Sequence, residues 1–220
     1  MGMVDSWKNI FKNKNYKIVF FISFIILIVA LIFYSKFLNF NESRNGVSFE
    51  DPYLSWFSPL NVTWFTFTLI YGGIIFGIVN LIQYPKHFLI AIQTYALIVI
   101  IRIIAMNALP LDPPPHTIPL IDPFVQLFGS GKILMKDLFF SGHTATMFMF
   151  FLTAPTKKLK YIFFVGVFLI GGAVLIQHTH YSVDVIAAPF FAYGCYRLAV
   201  LFDFKFLWNV YSAKKEITTR

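Results

Sequence analysis

Six long apolar stretches constrain what this chain can fold into. The first, Ile18 to Tyr34, runs seventeen residues without a charge. The second falls in the charge-free region from Pro52 to Tyr84, at about Thr63 to Tyr84. The third starts at Phe88 and ends near Leu109, interrupted by Arg102. The fourth runs from about Leu138 to Ala154, the fifth from Tyr161 to Gln177, and the sixth from about Ser182 to Phe202. About 20 residues of helix cross ~30 Å of hydrocarbon. The pattern predicts an all-α integral membrane protein, a polytopic bundle of six transmembrane helices. Charged residues make up only 13% of the chain, against roughly 25% in soluble domains. That excludes a disordered chain, a nucleic-acid-binding arm and a typical cytosolic enzyme, and no nucleic acid is expected as a partner. The single cysteine, Cys195, rules out an intramolecular disulfide and argues against a thiolate metal cluster.

The first stretch is longer than a secretory signal core and no small-x-small cleavage site follows it, so it reads as a helix. Charge placement then sets the topology. Lys8, Lys12, Lys14, Lys17, Lys86, Lys157, Lys158, Lys160, Lys205, Lys214, Lys215 and Arg220 would lie on one side, twelve in all. Lys36, Arg44, Lys132 and Lys136, four in all, would lie on the other. The bias puts the first group and both termini in the cytoplasm. The expected organisation is a basic cytoplasmic N-terminus (1–17), a six-helix membrane catalytic domain (18–202) and a basic cytoplasmic tail (203–220). A Lys-, Asn-, Ile- and Phe-heavy composition points to an AT-rich bacterial genome and a bacterial inner membrane. The outer loop from Pro110 to Pro123 holds six of the eleven prolines. It reads equally as a lid over a site or as a stiff connector on the membrane surface. Gly73 and Gly77 have small-xxx-small spacing, the usual mark of helix packing.

Three features carry chemistry. Arg102 inside an apolar span costs roughly 2.5–3.5 kcal/mol to insert and needs a carboxylate, carbonyl dipoles or an anion, unless it snorkels to the outer surface. Ser141-Gly142-His143 opens the fourth helix. Its free backbone N–H groups suit an anion, Gly142 lets a phosphate approach closely, and His143 exchanges protons near neutral pH; the plain alternative is a simple N-cap. His178-Thr179-His180-Tyr181-Ser182-Val183-Asp184 opens the sixth. His180 and Asp184, four apart, share a helix face, so the carboxylate can fix the imidazole tautomer and leave the other nitrogen as base or nucleophile. A purely structural His–Asp pair is the competing reading. No zinc-type ligand spacing is present, so neither metal nor cofactor is expected. His178 reads as a supporting or interfacial group. By topology, Arg102, His143 and His180 all fall at the outer, non-cytoplasmic membrane face, although the histidines were not used to derive it.

These residues resemble the lipid phosphatase/phosphotransferase superfamily of type 2 phosphatidic acid phosphatases, through Ser141-Gly142-His143 and the His180-xxx-Asp184 spacing. The likeness is closer to the sphingomyelin synthase-like branch and covers about residues 100 to 200. It includes Arg102 before Leu109-Pro110-Leu111-Asp112-Pro113, Asp137 four residues ahead of Ser141, and the run His178, His180, Tyr181, Asp184, Val185. The pattern departs from the broader phosphatases, which carry additional cations; Val174 stands where one arginine would fall.

The resemblance implies a membrane lipid phosphotransferase. His180 would be the nucleophile, Asp184 its orienting carboxylate and His143 the acid and base. Arg102, Ser141 and Gly142 would bind phosphate, with Asp137, His178 and Tyr181 accessory. The implied partners are a phospholipid donor and a lipid alcohol acceptor, ceramide-like or diacylglycerol, with a phosphohistidine between them. Two rivals are a phosphatase or phospholipase with water as acceptor, and a transporter or scaffold that only binds lipid phosphate.

Overall fold

The computed structural model describes residues 3–120 and 133–218, with side chains described as far as Phe202. Seven α-helices account for most of it: α1 (Met3–Phe11), α2 (Lys14–Glu42), α3 (Thr63–Leu81), α4 (Pro85–Ala108), α5 (Gly142–Thr153), α6 (Lys157–Ile176) and α7 (Ser182–Thr218). A 3₁₀ turn, Leu54–Trp56, lies in the α2–α3 connection. The architecture is all-α.

Five of the helices are long and apolar enough to span a membrane: α2, α3, α4, α6 and the Ser182–Phe202 part of α7. Side chains such as Phe33, Trp64, Phe168 and Phe190 stand exposed on them, a surface that only a lipid solvent tolerates over so wide an area. The fourth apolar stretch gives a shorter helix than its sequence suggests. α5 has 12 residues, about 18 Å at 1.5 Å each, because Ser141 caps it and Leu138 to Phe140 are not helical. By contrast, α2 has 29 residues, about 43 Å. It continues through Lys36, Asn39, Asn41 and Glu42, past the end of the apolar run.

α5 sits at the centre, packed against α3, α4, α6 and α7, while α2 packs on α4 at the periphery. The glycines of α3 explain part of this closeness. A Cβ at Gly77 would lie 2.7 Å from Phe150 Cδ1, and one at Gly73 2.8 Å from Met147 Sδ. The small-xxx-small spacing therefore lets α5 side chains reach the α3 backbone. Phe150 in turn stacks on Phe163 of α6, ring centroids 5.1 Å apart.

The connections after α2 and α4 meet at one end of the bundle. Val47 N–H donates to Pro110 O (3.0 Å) and Asp112 N–H to Val47 O (3.1 Å). Glu42 Oε2 accepts from the amides of Met135 and Lys136, each at 3.0 Å, and Asn41 Nδ2 donates to Lys136 O at 2.7 Å. Lys136 pairs with Asp112 at 2.7 Å. Residues 110–120 of the proline-rich loop are tied down too. Ile118 N–H donates to Gln177 O (3.2 Å) and Thr117 Oγ1 to His178 O (2.7 Å). Ile118 and Leu120 of this loop are partly buried. Ile121, Pro123, Phe124 and Lys132 lie outside the described residues.

Candidate active site

Each sequence feature supplies one wall of the site. Arg102 arrives on α4, one turn and a half before the helix ends at Ala108, and is buried. It does not snorkel. Its Nε–H donates to Phe140 O at 2.9 Å, one Nη to Asp137 Oδ1 at 2.8 Å, and the other to the Tyr34 hydroxyl. Tyr34 Oη also donates to Asp137 Oδ1, at 2.6 Å. Three of the five guanidinium N–H donors are thereby used. Both the carboxylate and the carbonyl dipole that a membrane arginine demands are present. Asp137 serves Arg102 and Tyr34 directly. Burial alone would push the Asp137 carboxyl up, but the Arg102 guanidinium and the Tyr34 hydroxyl hold it below the usual carboxylate range.

Gly142 lets the arginine come this close. A Cβ there would lie 2.7 Å from Arg102 Cζ, so any side chain larger than hydrogen displaces the guanidinium. Ser141 closes the start of α5. Its Oγ accepts from Thr144 N–H at 3.5 Å, and its own amide donates to Asp184 O at 3.0 Å. The Gly142 and His143 amides belong to the first helical turn, where N–H groups have no intrahelical acceptor. The Gly142 Cα, at the start of this turn, packs against the arginine.

His180 lies in the bend two residues before α7 rather than on the helix, and the four-residue spacing to Asp184 in its first turn still brings the two together. His180 Nδ1 lies 3.3 Å from Asp184 Oδ2, with both side chains almost completely buried. The same oxygen accepts from Tyr181 N–H at 3.1 Å. His143 and His180, 37 residues apart in sequence, face each other with ring centroids 6.3 Å apart and planes at 71°. Tyr181 is supporting structure: its ring stacks on Phe49 (4.0 Å) and its hydroxyl donates to Asp112 O (3.0 Å). His178 stands apart, in a left-handed conformation (φ 55°), its ring edge-on to Phe57 at 5.1 Å. It borders a cavity of about 1130 Å³ also lined by Glu50, Asp51, Trp56, Phe57 and His116. Among the described residues no three His, Cys, Asp or Glu side chains gather closely enough to hold a metal ion.

Three contributors escape the sequence reading. Tyr34 looks like the end of an apolar run. Asp51 looks like an ordinary loop acid beside Glu50, yet its Oδ2 accepts from Ser182 N–H at 2.6 Å and caps α7 from a distance. Its Oδ1 accepts from the amides of Tyr53 and Leu54. Burial opposes ionisation of Asp51, but the Ser182, Tyr53 and Leu54 hydrogen bonds outweigh it and lower its pKa. Gln177, fully buried, donates to Thr63 Oγ1 (2.8 Å) and Ile118 O (3.2 Å), joining α3, the proline loop and the turn before His180. Tyr34 and Asp51 are far from the histidines in sequence and Gln177 directly precedes His178, but the partners of all three are set only by the tertiary fold.

Residues 136–201 match the family model described as PAP2 superfamily C-terminal, a little under a third of the chain. No curated protein and no solved structure matches. The matched segment contains Asp137, Ser141, Gly142, His143, His180 and Asp184. Both histidines thus lie in the segment that is similar to the PAP2 superfamily C-terminal model.

Proposed function

We propose that the protein is a sphingomyelin synthase-like membrane phosphotransferase that moves a phospho-headgroup from a phospholipid to a lipid alcohol, ceramide-like or diacylglycerol. The observation that carries this reading is the buried His180–Asp184 pair facing His143 across 6.3 Å, beside a buried arginine. With Nδ1 held by Asp184, His180 presents Nε2 to phosphorus. Attack forms the N–P bond and breaks the P–O bond to diacylglycerol, whose oxygen takes a proton from His143. The Asp184 carboxylate stabilises the positive charge on the phosphorylated imidazole. Arg102 and the first-turn amides of α5 stabilise the equatorial oxygens. His143, now neutral, removes the proton of the acceptor hydroxyl. That oxygen attacks phosphorus, the N–P bond breaks, and His180 is regenerated.

The charge balance favours a phosphodiester. Asp137 already offsets Arg102, and Asp112 offsets Lys136. A diester brings one negative charge to this site, whereas a monoester brings nearly two. In this reading the short α5, together with the residues before it, completes a sixth crossing. Both termini are cytoplasmic and the histidines face the other side of a bacterial inner membrane. Purified protein given a headgroup-labelled phospholipid should pass label to ceramide or diacylglycerol with ping-pong kinetics. If soluble headgroup phosphate dominates at saturating acceptor, water is the acceptor and the protein is a hydrolase. If no label leaves the donor, the site only binds.

A further inference from the structure

The N-terminal helix is not used by the chemistry above, and its composition is unlike that of the helices around it. Met3, Val4, Trp7, Ile10 and Phe11 recur at the spacing that puts them on one side of α1, with Lys8 and Lys12 along the border. The helix is not a continuation of the first span. Asn13 ends it and caps α2, its Oδ1 accepting from the amides of Asn15 (3.0 Å) and Tyr16 (3.4 Å). Trp7 then fixes α1 to the bundle. Its Nε1–H donates to Ile82 O at 2.7 Å, and its ring meets Phe11, Phe20 and Phe88 edge-on. Tyr16 adds a bond from its hydroxyl to Pro85 O, 2.7 Å. These partners put α1 at the level of the α3–α4 turn. That is the end of the bundle opposite Arg102, since Phe88 and Arg102 are 14 helical residues apart on α4, about 21 Å.

Docking leaves part of the apolar stripe uncovered: Met3 is 46% exposed and Val4 57%. Met3, Val4, Trp7, Lys8, Phe11 and Lys12 line an open groove of about 620 Å³. Residues 1–17 carry four lysines and one acid, Asp5. Among the described residues none of these lysines has a carboxylate within ion-pairing distance. An apolar floor with two unneutralised ammonium groups one helical turn apart is complementary to one kind of occupant. An acyl chain would cover Met3, Val4 and Trp7, and a phosphate would fit between Lys8 and Lys12.

We propose that α1 is an interfacial helix whose groove binds an anionic glycerophospholipid from the leaflet opposite the catalytic histidines. A zwitterionic lipid brings its own ammonium group and gains little from the lysines. An anionic lipid gains about fivefold in association per lysine near the surface. The site is independent of the reaction and of which leaflet is cytoplasmic.

The test uses the purified full-length chain. Retention of phosphatidylglycerol and of phosphatidylcholine is measured by native mass spectrometry over a lipid titration. The wild-type protein should retain phosphatidylglycerol preferentially. The Lys8→Gln/Lys12→Gln variant should lose that preference by about fivefold per lysine, with phosphatidylcholine retention unchanged. Lys36→Gln, at the other end of α2, should behave as wild type. In a Trp56→Phe/Trp64→Phe/Trp208→Phe background, brominated phosphatidylglycerol in phosphatidylcholine vesicles should quench Trp7 more than brominated phosphatidylcholine at equal content. Equal retention of the two lipids by wild type overturns the proposal, as does an unchanged preference in the Lys8→Gln/Lys12→Gln variant. The conservative glutamines keep the helix and the apolar stripe, and a monodisperse elution profile verifies the fold of each variant.

Discussion

Removing the Asp137 carboxylate isolates the energetic problem that Arg102 poses. In Asp137→Ala the guanidinium keeps its bonds to Phe140 O and the Tyr34 hydroxyl but loses its only ion pair among the described residues. Breaking a fully buried pair costs about 3–5 kcal/mol. The Asp137 side chain is 28% exposed against 7% for Arg102, so water can partly replace the carboxylate. The expected loss is therefore lower, about 2–3 kcal/mol, or a Tm fall of roughly 4–12 °C for a chain of this size. The pH dependence follows from the lowered Asp137 pKa. A carboxyl with a depressed folded-state pKa adds stability above its unfolded value of about 4, and that stability disappears as pH falls through the folded value. The gap between wild type and Asp137→Ala should thus be constant from neutral pH down to about pH 5 and close at lower pH. Arg102→Met/Asp137→Leu replaces the pair by apolar groups and should recover most of the stability while remaining inactive. Thermal unfolding in detergent, monitored by circular dichroism, measures all of these. If the double variant is as unstable as the sum of the single losses, or if the gap persists at low pH, the ion pair is not what holds Arg102.

Four further outcomes are expected. His180→Ala should abolish turnover in the label-transfer assay, and Asp184→Asn should lower it about 10³- to 10⁴-fold, since the carboxylate acts through tautomer and charge. Gly142→Ala should displace Arg102, lowering stability by about 1–3 kcal/mol and activity much further, read from Tm and initial rates. Asp51→Ala should weaken the start of α7 by about 1–2 kcal/mol; activity loss should exceed what the Tm shift implies, because His180 lies two residues before the capped amide. In a Cys195→Ser background, an impermeant thiol reagent applied to intact cells should reach a cysteine at position 45 and not one at position 10; the reverse result inverts the proposed topology.

Hydropathy alone located the long spans, because lipid-facing stretches are apolar on all sides and need no partner to be legible. It did not locate their ends. α2 continues eight residues past Tyr34 because Asn41 and Glu42 find partners at Lys136 and Met135, a compensation invisible in a local window. α5 begins later than the apolar stretch because Ser141 caps it, a boundary that the Ser-Gly-His run did signal. Among the site residues, His180 and Asp184 were legible as a pair because a four-residue spacing keeps them within reach, although His180 sits in the bend before α7 and not on the helix face the spacing suggested. Arg102 was legible because a charge in a span requires a cause. Tyr34, Asp51 and Gln177 were not, because their partners lie 68, 131 and 114 residues away in sequence. Their residue types are ordinary at span ends and loops.

The missing phosphatase arginine is built into the packing as well as the sequence. Val174 is fully buried in α6, and its carbonyl accepts from both the Thr179 amide and the Thr179 hydroxyl, each at 3.0 Å. An arginine there would need space that the core does not have and a counter-charge not found beside it. The four aspartates around the site already have roles: Asp137 on Arg102, Asp112 on Lys136, Asp184 on His180 and Asp51 on the α7 amide. A site so close to charge balance gains little from a second negative charge on its substrate. The distribution of these acids is the physical ground for the proposed singly charged phosphodiester, and an arginine at the fully buried position 174 should destabilise the core before it serves as a phosphate ligand.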